Sequence, residues 1–192
     1  MSDELANTPD KIAFRQKLLS AQEWMLKMRA FVTDEPLDKN YPLTHQFTPV
    51  NEKYGCCNYA RSIFLPKGSI VIGKIHRHSH LNLIMQGAVS VNSEFGIKRY
   101  EAPCIFISEP GTKRVVSVEE DAIWCTVHMT EFSGEENLNL IEDEVIAPTY
   151  EALGLDAPSA SVKANSLVTG DDEHNLPESI WQAARPFFED KK

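Results

Sequence analysis

Apolar residues recur at roughly helical spacing near the start of the chain. Between Pro9 and Arg29 they are Ile12, Leu18, Leu19, Trp24, Met25 and Met28, which predicts an amphipathic helix whose stripe packs on the rest of the protein. Thr8-Pro9-Asp10 supplies its start, with a threonine N-cap and a proline in the first turn. Residues 34–48 read as loop, punctuated by Pro36, Pro42 and Pro49. From Asn58 to about Met129 the pattern shortens to brief runs rich in Val, Ile and Phe. They cover residues 60–65, 69–75, 81–85, 88–92, 97–100, 104–107, 114–118 and 122–128. Between them lie turn residues such as Pro66-Lys67-Gly68, Gln86-Gly87, Glu94-Phe95-Gly96, Glu109-Pro110-Gly111 and Glu119-Glu120-Asp121. Many short strands at this spacing predict an all-β sandwich or barrel.

Beyond Glu131 the chain turns acidic, and Leu138, Leu140, Ile141, Val145 and Ile146 predict a helix over 137–153, interrupted by Pro148. Residues 154–172 read as a surface excursion, and a last helix is expected from Pro177 to about Glu189, ended early by Pro186. The chain thus divides into an N-terminal helix and loop arm (1–57), a β core (58–130) and an acidic helical extension (131–192).

Charge narrows the partners. The net charge is -9 and the pI about 5.1, which argues against general nucleic-acid binding, since that affinity comes from neutralising phosphates. No apolar run approaches the ~20 residues of a membrane span, and the acidic start, Met-Ser-Asp-Glu-Leu, lacks a signal-peptide pattern. A cytoplasmic protein is expected, in a bacterial cell or phage-infected host. Cys56, Cys57, Cys104 and Cys125 show no zinc-finger or thioredoxin spacing and read as small buried residues. P-loop, G-x-G-x-x-G, G-x-S-x-G and H-E-x-x-H motifs are absent.

The chemistry concentrates in Lys74-Ile75-His76-Arg77-His78-Ser79-His80-Leu81-Asn82. On one strand, His76, His78 and His80 would project from the same face, and imidazole is the commonest protein metal ligand. Same-face neighbours lie ~6.6–6.8 Å apart, so the outer two histidines would be ~13 Å apart on a straight strand. All three share one ion only if the strand bends or bulges. A solvated strand and a metal-free pocket are the competing readings.

Two motifs in this stretch resemble the cupin superfamily. The first is Gly73 to His80 followed by Leu83-Ile84-Met85-Gln86-Gly87; the second is Ala102-Pro103 through Phe106 to Arg114, with its Pro110-Gly111 turn. The wider wording, including Phe64 to Gly68 and Trp124 to His128, is similar to small cupin proteins of tailed phages. The resemblance implies a cupin-like antiparallel β-barrel or jelly roll with an N-terminal helix and a C-terminal helical extension. Cupin metal sites commonly take two histidines, a glutamate and a histidine from the second motif. Here one register places the pair on Lys74 and His76 with His80 at the glutamate position; another uses His76 and His78, with the glutamate position near Asn82; the second-motif histidine is Arg114. His128 is expected to fill the gap, because an antiparallel hairpin of 114–118 with 122–128 would set it beside Arg114.

Two functions follow. One is a binding module for a small anionic metabolite or nucleotide, with Arg114, Lys74, His78 and Asn82 as ligand-binding residues. The other is a mononuclear metal enzyme of oxygenase or isomerase type, with His76, His80 and His128 holding a divalent Fe, Mn or Zn ion. Arginine's rigid donor fork suits carboxylate or phosphate, whereas Lys113 and Arg99 read as solvated strand residues paired with glutamates. Strand 70–75, apolar on both faces, needs a cover from the terminal helices or a second subunit, and a homo-oligomer, most simply a two-fold dimer, is expected.

Overall fold

A computed structural model describes residues 7–27, 31–32, 43–156 and 166–168. Helix α1 (Pro9–Lys27) starts as its sequence dictates, the Lys11 amide donating to Thr8 Oγ1 at 3.4 Å. Its buried face is not purely apolar. Arg15, Leu18, Leu19, Gln22 and Met25 all point inward at i, i+3, i+4 spacing. Arg15 reaches Glu94 at 2.7 Å, with both side chains almost wholly buried, and its Nη1 also bonds Asn7 and the Asp156 carbonyl. Removing one member of a buried pair strands the other charge. Glu94→Ala is therefore expected to cost about 3 kcal/mol in urea unfolding, and Arg15→Met with Glu94→Leu should recover most of that loss. A loss below about 1 kcal/mol for Glu94→Ala would show that the pair does not anchor the helix.

The strands form two antiparallel sheets that face each other. One runs β1 (Phe31–Val32), β13 (Ser166–Val168), β4 (Ile70–Ile72), β10 (Val115–Val118), β7 (Ala88–Ser93), β8 (Gly96–Glu101). The other runs β2 (Thr44–Phe47), β3 (Cys57–Leu65), β11 (Ala122–Thr130), β6 (His80–Gln86), β9 (Cys104–Ser108). Between them sits a core of Leu65, Ile84, Val89, Val91, Val116, Val118, Ala122 and Trp124. Each such aliphatic side chain contributes about 1.5–3 kcal/mol on burial. This is the expected all-β core of two facing antiparallel sheets with an N-terminal helix. In the C-terminal segment, the helix expected over 137–153 is confined to α2 (Leu138–Val145), and the chain then runs extended as β12 (Ile146–Ala147) before Pro148. Ile141 and Val145 turn inward onto Tyr59. The last helix expected, 177–189, lies outside the described residues, as does most of the 154–172 excursion. Ile70 and Ile72 are buried within the chain itself. No helix among the described residues is long and apolar enough to cross a membrane.

Two expectations about connections change. The 69–75 run does not continue through the histidines. It breaks after β4, and β5 (Ile75–His76) leaves the main sheets to pair with β12, with His76 opposite Ile146. The 114–118 and 122–128 runs do not form a hairpin either: β10 pairs with β4 and β7, while β11 pairs with β3 and β6. The Glu119-Glu120-Asp121 link crosses between sheets because Val116, Val118, Ala122 and Trp124 belong to one core, which strands in opposite layers can enclose. Gly87 guards this crossing. It has φ +75°, and a Cβ there would lie 2.3 Å from the Asp121 carbonyl oxygen, so only glycine fits.

Candidate functional site

The break after β5 is what assembles the histidines. Residues Arg77–Ser79 bend away from strand geometry, and β6 resumes at His80. The bend brings the His76 and His80 rings to 4.1 Å between centroids, far closer than a straight strand allows. His78 stands exposed on the outside of the bend, so the alternation reading does not hold for it. Its carbonyl does contribute, accepting from His80 Nδ1 at 3.2 Å. His128 arrives on β11, whose pairing with β6 sets Thr126 opposite Asn82 and Val127 opposite Leu81. Its ring lies 4.5 Å from His80 and 5.0 Å from His76. His128 thus joins His76 and His80 through the pairing of β11 with β6, and the hairpin expected to set it beside Arg114 does not form.

Second-motif residues lock the first. Gly111, with φ +76°, donates its amide to the His76 carbonyl at 2.8 Å. Arg77 clamps the β5–β12 ribbon, its amide bonding Val145 O at 2.8 Å and its Nε bonding Ile146 O at 3.0 Å.

One ligand nitrogen from each of His76, His80 and His128 lies within 4.8 Å of the others. Two nitrogens bound to zinc at about 2.1 Å can be no more than about 4.2 Å apart, so small ring rotations would complete the set. Its protonation suits a cation. Burial and the neighbouring imidazoles, with Arg114 and Arg61 behind them, hold His76 well below its ordinary value. Burial, then Arg114, lowers His80 to about 4. Burial, His80 and Arg61 lower His128 to about 3. All three are neutral at pH 7 and offer lone pairs. A carbonyl oxygen can only accept, so the His78–His80 bond puts the proton on His80 Nδ1 and leaves Nε2 as the lone pair. That Nε2, and His76 Nδ1, are buried with no hydrogen-bond partner. Buried polar atoms are normally satisfied, so this donor set fits a metal ion on its own chemistry.

Two chambers meet at the cluster. An outer one of about 280 Å³ lies beneath α2, and an inner one of about 110 Å³ lies between the sheets. Arg61, Lys74, His76 and Thr126 border both. Arg114 faces the inner chamber with its guanidinium bonded to Ser108 and, at 3.5 Å, to Asn82 Oδ1. Asn82 is fully buried and already engaged: its Oδ1 also accepts from Trp124 Nε1 at 3.0 Å, and its Nδ2 donates to Ser108 Oγ at 2.5 Å. It orients neighbours and has little left for a ligand. Lys74 pairs with Glu142 of α2 at 3.1 Å. Arg99 is exposed and pairs with Glu101 and Glu119, as expected. Lys113 is the correction. It is 1% exposed and donates to the Gly73 carbonyl at 2.6 Å, because its place beside the Pro110-Gly111 turn points it into the barrel end.

Sequence reading missed Arg61. On β3, Tyr59, Ile63 and Leu65 point into the core region, and Arg61 shares their phase. A charged residue in step with inward positions was the available signal. It also missed His45, whose Nδ1 lies 2.8 Å from the Tyr59 hydroxyl at the wall of the outer chamber.

No protein-family model matches the chain, and no curated protein matches it in sequence. Among solved structures it is similar in chain path to an ectoine synthase from P. lautus, with TM-score 0.40, 9% identity and coverage of 60% of this chain and 82% of that one. It is also similar to a cupin-2 domain-containing protein from Shewanella frigidimarina (TM-score 0.36, 7% identity, 56% and 92% covered). A third is KdgF from Halomonas sp. (TM-score 0.37, 14% identity, 54% and 95% covered). The chemistry of the site rests on its own residues.

Proposed function

We propose that this chain is a cupin-like protein that holds a divalent metal ion at His76, His80 and His128 and takes up a small anionic metabolite beside it. The observation that carries the reading is the trio of neutral imidazoles, His80 and His128 buried and His76 half-buried, with two buried, unpartnered nitrogens. Such an all-nitrogen set suits Fe(II), Mn(II) or Zn(II). The anion follows from charge: Arg61 and Arg114 border the chambers, while Glu142, the one acid among their described lining residues, is taken by Lys74. Half-buried guanidinium groups without acids beside them favour an anion close by.

A second reading, a metal-dependent enzyme of oxygenase or isomerase type, is favoured by the open space on both sides of the trio. Three protein ligands with positions left open is the pattern of catalytic sites. A bound ion would supply Lewis acidity and open coordination positions. The chain's own residues would orient an anion through the arginines and exclude water with the Trp124 and α2 walls.

Equilibrium dialysis of protein purified without a histidine tag, against Mn(II), Fe(II) and Zn(II) separately, tests the metal. About one equivalent retained after washing is expected. Retention of none of the three would overturn the metal half of the proposal.

A further inference from the structure

The two chambers differ in what they can hold, and this deepens the anion reading on which it rests. The inner one, at about 110 Å³, is smaller than the cavity of about 150 Å³ known to admit a benzene ring. A carboxylate fits it and an aryl ring does not. Its polar wall is built for oxygen. The Arg61 side chain makes no hydrogen bond or ion pair among the described residues. Arg114 has no carboxylate partner among them; it bonds Ser108 and Asn82 and lies over the Phe106 ring. Thr112, 5% exposed, lines the same chamber, and its buried Oγ1 has no partner. Two guanidinium groups and a hydroxyl thus border a space with no carboxylate among its described lining residues.

The outer chamber, at about 280 Å³, has room for a ring. One wall is apolar, with Leu138, Ile141, Val145 and Ile146 from the α2–β12 segment and Tyr59 on the barrel side, while Lys74, Glu142 and the histidines are among the residues lining the rest. The Tyr59 ring stacks between Phe47 at 5.0 Å and His128 at 6.3 Å. An aromatic face there leads directly to the imidazole cluster.

We infer that the ligand is a carboxylic acid with an aryl or similarly bulky apolar body. Its carboxylate enters the inner chamber between Arg61, Arg114 and Thr112, and its body fills the outer chamber under α2. The histidine cluster then lies at the junction between the two.

Calorimetric titration of the full chain, zinc-loaded and metal-free, with phenylacetate, acetate, inorganic phosphate and phenethyl alcohol tests this. Phenylacetate is expected to bind about tenfold tighter than acetate, and at least about tenfold tighter than the uncharged alcohol. Arg61→Met should weaken phenylacetate by about tenfold or more, and Arg61→Lys by less, since it keeps the charge and loses the fork. Leu138→Trp, which fills the outer chamber, should weaken phenylacetate by about tenfold and leave acetate within about twofold. Thermal unfolding of each variant checks that it is folded, and Leu138→Trp decides the matter should Arg61→Met fail to fold. The alcohol binding as tightly as the acid, or Leu138→Trp weakening both acids alike, would overturn the inference. Were phosphate and acetate to bind as well as phenylacetate, this division of the site would fall and the anion reading would stand. Were no anion to bind either form, the anion reading itself would fall, whatever dialysis shows for the metal.

Discussion

His80→Ala is expected to abolish metal retention, lowering affinity by more than about a hundredfold. Loss of an outer partner that merely orients a ligand costs 10–100-fold in typical sites, and His80 is a direct member of the trio. Its removal leaves only His76 and His128, with ring centroids 5.0 Å apart. His80 is also the member whose tautomer the fold fixes, through the His78 carbonyl. The control lies two residues away. His78→Ala keeps that carbonyl and removes an exposed ring, so affinity should stay within about threefold of the parent. Competition with a chromophoric chelator reads both values. Equal losses for the two variants would point to a site on the surface of the bend and not in the barrel.

The second large effect belongs to Lys113 and is read as stability against pH. Burial, with Lys74 nearby, lowers its pKa from the ordinary 10.5 to about 7. Below about pH 7 the folded and unfolded chains both carry the proton, and the native state bears the cost of a buried charge. Between about pH 7 and 10.5 the unfolded chain still holds the proton and the native chain does not, so stability rises with pH. The full interval corresponds to about 5 kcal/mol. Lys113→Met removes this dependence. Its stability relative to the parent should therefore fall by about 4 kcal/mol as pH rises from about 7 to 10, with the variant at its relative best in acid. Urea unfolding of both proteins across that range measures the difference. A pH-independent difference would mean that Lys113 keeps its charge throughout.

The strand pattern was readable because it is local. Turn residues such as Pro66-Lys67-Gly68 and Gln86-Gly87 bound β-rich runs, and the strands between Cys57 and Thr130 lie within a few residues of the expected positions. What failed was long-range. Whether 114–118 and 122–128 pair with each other or in separate layers depends on which faces share a core, and the alternation of Val116, Val118, Ala122 and Trp124 is compatible with both. Lys113 was misread because a lysine beside a turn is ordinarily solvated; only the path of the Pro110-Gly111 turn aims it inward. The Arg15–Glu94 pair links a helix to a hairpin tip far away in sequence, and no local pattern announces it. At the site, His76, His80 and His128 were legible as residue types. The bend that separates His78 from them was legible only as a requirement of distance. Arg61 stayed hidden because its phase acquires meaning only once β3 is known to face the cluster.

The ribbon of β5 and β12 has a consequence for how the protein is made. His128 emerges from the ribosome ahead of Ile146, the residue that pairs with His76. In the interval His80 and His128 can be set by the pairing of β6 with β11, while the first histidine lacks its partner strand. A nascent chain is therefore a two-histidine protein before it is a three-histidine one. At the proposed metal site, an ion met early would be held by an incomplete set and free to exchange, so metal choice would be deferred until α2 and β12 have folded over the cluster.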